Sequence, residues 1–275
     1  MIRKSLLCFV ILFGLHCLLV FRCPASGTAT HQWQSNVIKT QQFLYAPDID
    51  TAMVGTSLSA KIISDSIPSV HSLSFSGCSV EDGLRIISKK EHLPRLVLVE
   101  TNLFLREGSP NLFASQTNRM LLKIRKQIPS LREQYQSVCL LFSFLKSARG
   151  EETSSTEVVD SLLRDKVIER RIKEDTPMDE TAIQNRLQTL RPLMQELEGK
   201  GVRFVFFEMP VNERLRHTKR FEQTRAILQK EFPQSRYVYL PADTATYMTT
   251  DGLHLNQAEQ RAFSHHFKEV LSQYQ

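Results

Sequence analysis

At 275 residues, with 41% hydrophobic and 23% charged residues, the chain has the make-up of an ordinary globular protein, which excludes a disordered polymer and a polytopic membrane protein. Its length suits one α/β domain of about 200–250 residues with an appendage. The formal charge of +6 does not point to nucleic acid, because the basic residues alternate with acids, as in Arg164, Asp165, Lys166, Glu169, Arg170 and Arg171, the pattern of a solvated helix face.

The chain opens with Met1-Ile2-Arg3-Lys4, then an apolar run from Ser5 to Phe21, then Arg22. Cations followed by an uninterrupted apolar helix direct the chain to a membrane and predict export. The run exceeds the usual signal-peptide core of about 7–15 residues and reaches the short end of a spanning helix at about 17–25. Ala25-Ser26-Gly27 offers small residues for cleavage, whereas His16 and the bulky Val20-Phe21-Arg22 favour a retained anchor with the amino terminus inside. Residues 1–27 are therefore read as a signal anchor or signal peptide, residues 28–44 as a polar tether, and 45–275 as the folded body. Cys23 lacks the small neighbours of a lipidation site. Of the five cysteines only Cys78 and Cys139 lie in the body, as an isolated bridge or as two thiols.

Within the body, Asp48 to Val54 predicts a first strand that breaks at Gly55-Thr56-Ser57, followed by a short helix from Ser59 to Ser66. Val70 to Phe75 is a second strand, Val80 to Lys90 a helix, and Leu96-Val97-Leu98-Val99 a third strand apolar enough to be covered on both faces. Strands separated by helices predict βαβ units and a parallel sheet. From about 103 to 184 the pattern is interrupted by helices at Asn118 to Ile128, Leu131 to Leu145 and Ser155 to Glu174. Such an insertion serves as a lid or partner surface, or as a helical elaboration with no part in the chemistry. The α/β pattern resumes with a helix from Thr181 to Leu197, a fourth strand at Val202 to Phe207, a helix from Arg214 to Phe232, a fifth strand at Tyr237 to Leu240, and a last helix from Gln257 to Gln273. The fold class is thus α/β, a three-layer flavodoxin-like arrangement with five parallel strands and a helical insertion between the third and fourth.

Gly55-Thr56-Ser57 places a hydroxyl at the carboxyl edge of the sheet, where open α/β folds bind ligands. Asp251-Gly252-Leu253-His254 follows the fifth strand. An Asp three residues before a His can accept from the imidazole Nδ1–H and leave Nε2 to take a proton from a serine, so Ser57, His254 and Asp251 are read as nucleophile, base and orienter. Glu208 and Asn212, at the end of the fourth strand, are expected to face the same cleft and contact substrate. There is no close-spaced cysteine pair and no His-Glu-x-x-His, so neither metal nor cofactor is implied.

With these residues in place, Gly55-Thr56-Ser57-Leu58, Gly77, Asn102 and Asp251-Gly252-Leu253-His254-Leu255 resemble, in order and placement, the signature blocks of the SGNH (GDSL-like) hydrolase superfamily. The resemblance covers the body from about Asp48, outside the insertion. It implies an oxyanion hole made by the Ser57 and Gly77 backbone N–H groups and the Asn102 side chain. Thr56 stands where the family usually has Asp, as in membrane-anchored members that transfer D-alanyl groups to lipoteichoic acid or acetylate alginate. Glu100-Thr101-Asn102-Leu103 keeps only the asparagine of its block. The resemblance implies an extracytoplasmic esterase or O-acyltransferase, its substrate a carbohydrate or cell-envelope polymer bearing ester-linked acyl groups, and it admits a membrane-embedded acyltransferase as partner. The competing reading is a non-catalytic interaction protein of the same shape, against which the intact Ser57, Asp251 and His254 argue.

Overall fold

The computed structural model describes residues 2–22, 27–63, 67, 69–148 and 160–274. The chain divides into two compact units, an amino-terminal unit of Met1–Tyr45 and Asn111–Ser154 and a sheet unit of Ala46–Pro110 and Ser155–Gln275. In chain order the elements are α1 (Ile2–Arg22), α2 (Gln32–Tyr45), β1 (Thr51–Gly55), β2 (Val70–Ser74), α3 (Val80–Ile87), β3 (Leu96–Glu100), α4 (Pro110–Gln116), α5 (Arg119–Gln127), α6 (Ser137–Ala148), α7 (Ser161–Lys173), α8 (Glu180–Gly199), β4 (Arg203–Phe207), α9 (Glu213–Arg216), α10 (Lys219–Glu231), β5 (Val238–Tyr239) and α11 (Gln257–Ser272).

The sheet unit is α/β, with five strands in the order β2-β1-β3-β4-β5, all parallel and flanked by helices, as a three-layer flavodoxin-like fold requires. Alternation along the strands divides the core. Met53, Leu98, Val205 and Phe207 pack with Phe263, Phe267 and Leu271 of α11. On the opposite face Phe206 meets Phe104, Phe232, Tyr237 and Tyr239 at ring-centroid distances of 4.8–6.3 Å. Each such fully buried side chain contributes roughly 1.5–3 kcal/mol, so the central strands are fixed largely by burial. The chain leaves β1 towards β2 on one side, and β3 to β5 build the other side. This leaves a crevice at the carboxyl ends of β1 and β3, where such sheets bind ligands.

Four segments depart from the sequence reading. The polar stretch taken as a tether is mostly helix α2, whose buried face mixes Val37, Ile38 and Phe43 with Gln34, Asn36, Thr40 and Gln41. Its amides are satisfied by partners within the amino-terminal unit, so the helix has no apolar stripe to read. The insertion is not one body: Asn111–Ser154 belongs to the amino-terminal unit, whereas α7 and α8 belong to the sheet unit. The long helix expected from Arg214 to Phe232 is broken into α9 and α10, and at the break the Thr218 hydroxyl donates to the Leu215 carbonyl at 2.9 Å. After β1 the described residues make a 3₁₀ turn, Ser59–Lys61, that stops at an extended Ile62; positions 64–66 of the expected helix lie outside the described residues, as do Cys23, Ala25, Ser26 and the expected helix start at Ser155. Cys78 and Cys139 form no disulfide.

Candidate active site

Ser57 sits in the turn that leaves β1, and a buried carboxyl shapes that turn. Glu100, fully buried at the end of β3, accepts from the Thr56 N–H (2.8 Å), the Thr56 hydroxyl (2.7 Å), the Ser59 N–H (3.1 Å) and the Ser59 hydroxyl (2.5 Å). Four donors on one carboxyl fix the backbone on both sides of Ser57. Gly55 is required by proximity: a Cβ there would collide with the Ser59 hydroxyl and lie 2.6 Å from Glu100 Oε2.

His254 arrives on a small hairpin. Thr249 and Leu255 form an antiparallel bridge, and Thr250 N–H donates to the His254 carbonyl at 2.8 Å. Asp251 Oδ1 accepts from the N–H groups of Leu253 (3.0 Å) and His254 (2.9 Å), closing the turn from its own side chain. Gly252 has φ +90°, and a Cβ on it would lie 2.7 Å from Leu215 Cδ1 and 2.8 Å from Ile168 Cγ1, so both conformation and space exclude a side chain. Asn256 then caps α11 by accepting from Glu259 N–H at 2.9 Å.

These two turns meet. Ser57 Oγ lies 2.9 Å from His254 Nε2, and His254 Nδ1 lies 3.1 Å from each Asp251 carboxyl oxygen. With Nδ1–H directed at Asp251, Nε2 is the nitrogen that accepts from the serine. Burial opposes ionisation of Asp251, but hydrogen bonds from the His254 ring and from the His254 and Leu253 N–H groups outweigh it and hold the carboxyl well below the usual carboxylate range. Arg171 of α7 donates to Asp251 Oδ2 at 2.8 Å, so the insertion reaches the orienting residue.

A cavity of about 500 Å³ opens at this point, lined by Ser57, Asn102 and His254, by apolar side chains including Leu103, Leu105, Leu215 and Phe221, and by Arg106, Arg171 and Arg220. Asn102 is held by Met209: its Oδ1 accepts from Met209 N–H at 2.7 Å and its Nδ2 donates to the Met209 carbonyl at 2.8 Å. An amide nitrogen has two protons, so this grip leaves a second N–H. Gly77 occupies an exposed turn after β2 with φ +79°, and its carbonyl accepts from Arg106 of the cavity wall at 3.4 Å.

Glu208 and Asn212 do not line this cavity, which corrects the expectation that they face it. Glu208 is engaged by Arg225 through two hydrogen bonds of 3.0 and 2.5 Å beside a separate pocket. Asn212 caps α9 by accepting from Arg214 N–H at 3.1 Å. Both are spent on local structure. Glu100 and Arg171 escaped the sequence reading. The first had a signal, an acid closing an otherwise apolar strand; the second is one cation among several on α7. Among the described residues no group of three or more His, Cys, Asp or Glu side chains is placed to hold a metal ion. Compared with known proteins, the chain matches no protein-family model, no curated protein and no solved structure.

Proposed function

We propose that the chain is an SGNH-like serine esterase or O-acyltransferase, anchored by α1 and acting outside the cytoplasm on ester-linked acyl groups of a carbohydrate or cell-envelope polymer. The observation that carries the reading is the continuous relay from Ser57 Oγ to His254 Nε2 at 2.9 Å and from His254 Nδ1 to Asp251 at 3.1 Å, at the mouth of a cavity. In this mechanism His254 takes the Ser57 proton as the oxygen attacks the ester carbonyl. The carbonyl oxygen gains negative charge, which the Ser57 and Gly77 N–H groups and the second N–H of Asn102 would stabilise. His254 returns the proton to the leaving alkoxide, and water or a sugar hydroxyl, deprotonated in turn by His254, releases the acyl group. Asp251 stays ionised throughout and holds the imidazole in the productive tautomer. Export and anchoring are supported by α1, a 21-residue helix whose apolar run from Ser5 to Phe21 follows Arg3 and Lys4.

The test is covalent labelling of the purified full chain with a fluorophosphonate. Modification at Ser57, absent in Ser57→Ala and reduced in His254→Ala, is the expected result. A folded wild-type protein that leaves Ser57 unmodified and does not hydrolyse a small aryl acetate would overturn the enzymatic reading in favour of an interaction protein.

A further inference from the structure

We infer that the segment from Asn111 to Ala148 is a membrane-interface element, seated beside α1 in the headgroup region of an anionic bilayer. The inference rests on reading α1 as a retained span, and four features of the amino-terminal unit carry it.

The first is depth. The apolar run of α1, Ser5–Phe21 between Lys4 and Arg22, is 17 residues or about 26 Å long, at the short end of what spans a hydrocarbon core of about 30 Å. The Cys17 thiol lies 3.0 Å from the Ser130 hydroxyl, and the groove at that level is lined by Gly14, Leu18, Val20, Ile128 and Pro129. Cys17 is five residues before Arg22, about 7.5 Å below the end of the helix. Interfacial helices bury their apolar face by about 5–10 Å, so the segment meets α1 at the depth that such a helix occupies.

The second is α6. It carries Val138, Leu141, Phe142, Phe144 and Leu145 exposed, with Phe144 at 68%, and buries only Cys139. Twelve residues, about 18 Å, cannot cross a bilayer. An apolar helix of this length that is not in a core is interfacial or re-entrant. The third feature is charge. Residues 111–148 hold six cations, Arg119, Lys123, Arg125, Lys126, Arg132 and Lys146, against the single acid Glu133. Cations among exposed apolar side chains such as Met120 and Leu121 match an anionic lipid surface.

The fourth is the interior of the unit, where Gln34, Gln41 and Gln116 are buried beside Val37, Ile38 and Phe43 while the leucines and phenylalanines of α6 are exposed. Gln41 donates to Gln116 at 2.9 Å and accepts from Glu133 N–H at 2.7 Å, and Gln34 donates to Glu133 at 2.9 Å. Buried amides whose partners lie inside the unit, together with an exposed apolar helix, suit a lipid surface better than water.

The experiment places tryptophan reporters in the full chain, reconstituted into phosphatidylcholine–phosphatidylglycerol vesicles with or without bromine on the acyl chains. Trp33→Phe removes the single native tryptophan. Into it are placed Leu12→Trp in α1, Phe144→Trp or, should that variant misfold, Leu141→Trp in α6, and Val238→Trp on exposed β5 as the aqueous reference. The expected result is that the α1 and α6 reporters lose most of their emission in brominated vesicles and the β5 reporter loses none. Quenching at α1 with an α6 reporter that behaves like the β5 one overturns the interface and leaves the anchor standing. An α6 reporter that is blue-shifted yet unquenched overturns it as well, because a second copy or another protein then covers the helix. An unquenched α1 reporter overturns the anchor and the interface together.

Discussion

The two units of the chain solve opposite burial problems. The sheet unit hides its apolar side chains, and among its described residues only Leu162, Leu163, Ile172, Val238, Met248 and Tyr274 are large, apolar and exposed. Buried polar groups at its strand ends, Glu100, Thr56, Ser59 and Asn102, hold the candidate nucleophile turn and cavity wall. The amino-terminal unit exposes α1 and α6 and buries glutamines between its helices. Burial of apolar area is favourable only against water, so the exposed apolar faces of α1 and α6 fit the lipid surroundings proposed for them. On those proposals the labour is divided: the sheet unit holds the chemistry and the amino-terminal unit sets where it takes place.

That division can be broken by substitutions that should affect one unit only. The largest effect is expected for Ser57→Ala, which should lower kcat for a small aryl ester by about 10⁴-fold or more while leaving the vesicle reporters unchanged. Asn102→Ala should cost about 10²–10³-fold in kcat if its second N–H stabilises the oxyanion, with a modest loss of stability from the released Met209 backbone. Glu100→Gln puts an amide N–H₂ where four donors converge. It should reduce the stability of the sheet unit by roughly 1–3 kcal/mol, read from urea melts, and lower kcat with KM little changed. The converse is Leu141→Glu with Phe144→Glu, which should withdraw α6 from bilayer quenching and leave hydrolysis of a small soluble ester at the wild-type rate. Loss of that activity would erase the proposed separation.

The smallest effects sharpen the roles at Asp251. Arg171→Gln removes the hydrogen bond to Oδ2 that helps hold the carboxylate in place and should lower kcat for a small aryl ester by less than about tenfold at neutral pH. Because the folded carboxyl titrates below its ordinary 3.8, its contribution to stability is complete above that value and is lost as the pH falls towards the lower folded one. Asp251→Asn lacks this contribution at every pH. Its melting temperature should lie below wild type near neutrality and converge with it in strong acid.

Much of the sheet unit is legible in the sequence. Leu96-Val97-Leu98-Val99 is too apolar for anything but a doubly covered strand, and Asp251-Gly252-Leu253-His254 has the composition of a turn that presents a histidine. The amino-terminal unit is less so. Helix α2 escaped because its buried face includes amides whose partners, Glu133 and Gln116, are far away in sequence. The break between α9 and α10 escaped because a threonine hydroxyl bonding back to the preceding turn leaves no glycine or proline mark.

By itself, then, the sequence determined the period of each strand, the small residues at the strand ends and the apolar run of α1, because these follow from local sterics and solvent preference. It named the serine, histidine and aspartate but could not bring together residues almost two hundred positions apart. The tertiary structure decided that Ser57 and His254 meet, that Glu100 rather than a residue of the turn itself braces the nucleophile, that Arg171 reaches Asp251, and that Glu208 is taken by Arg225. The physical reason is common to all four. Each is a pairing between a charged or polar group and a partner supplied by a different element, and such partners are set by how strands and helices cross rather than by their neighbours in the chain.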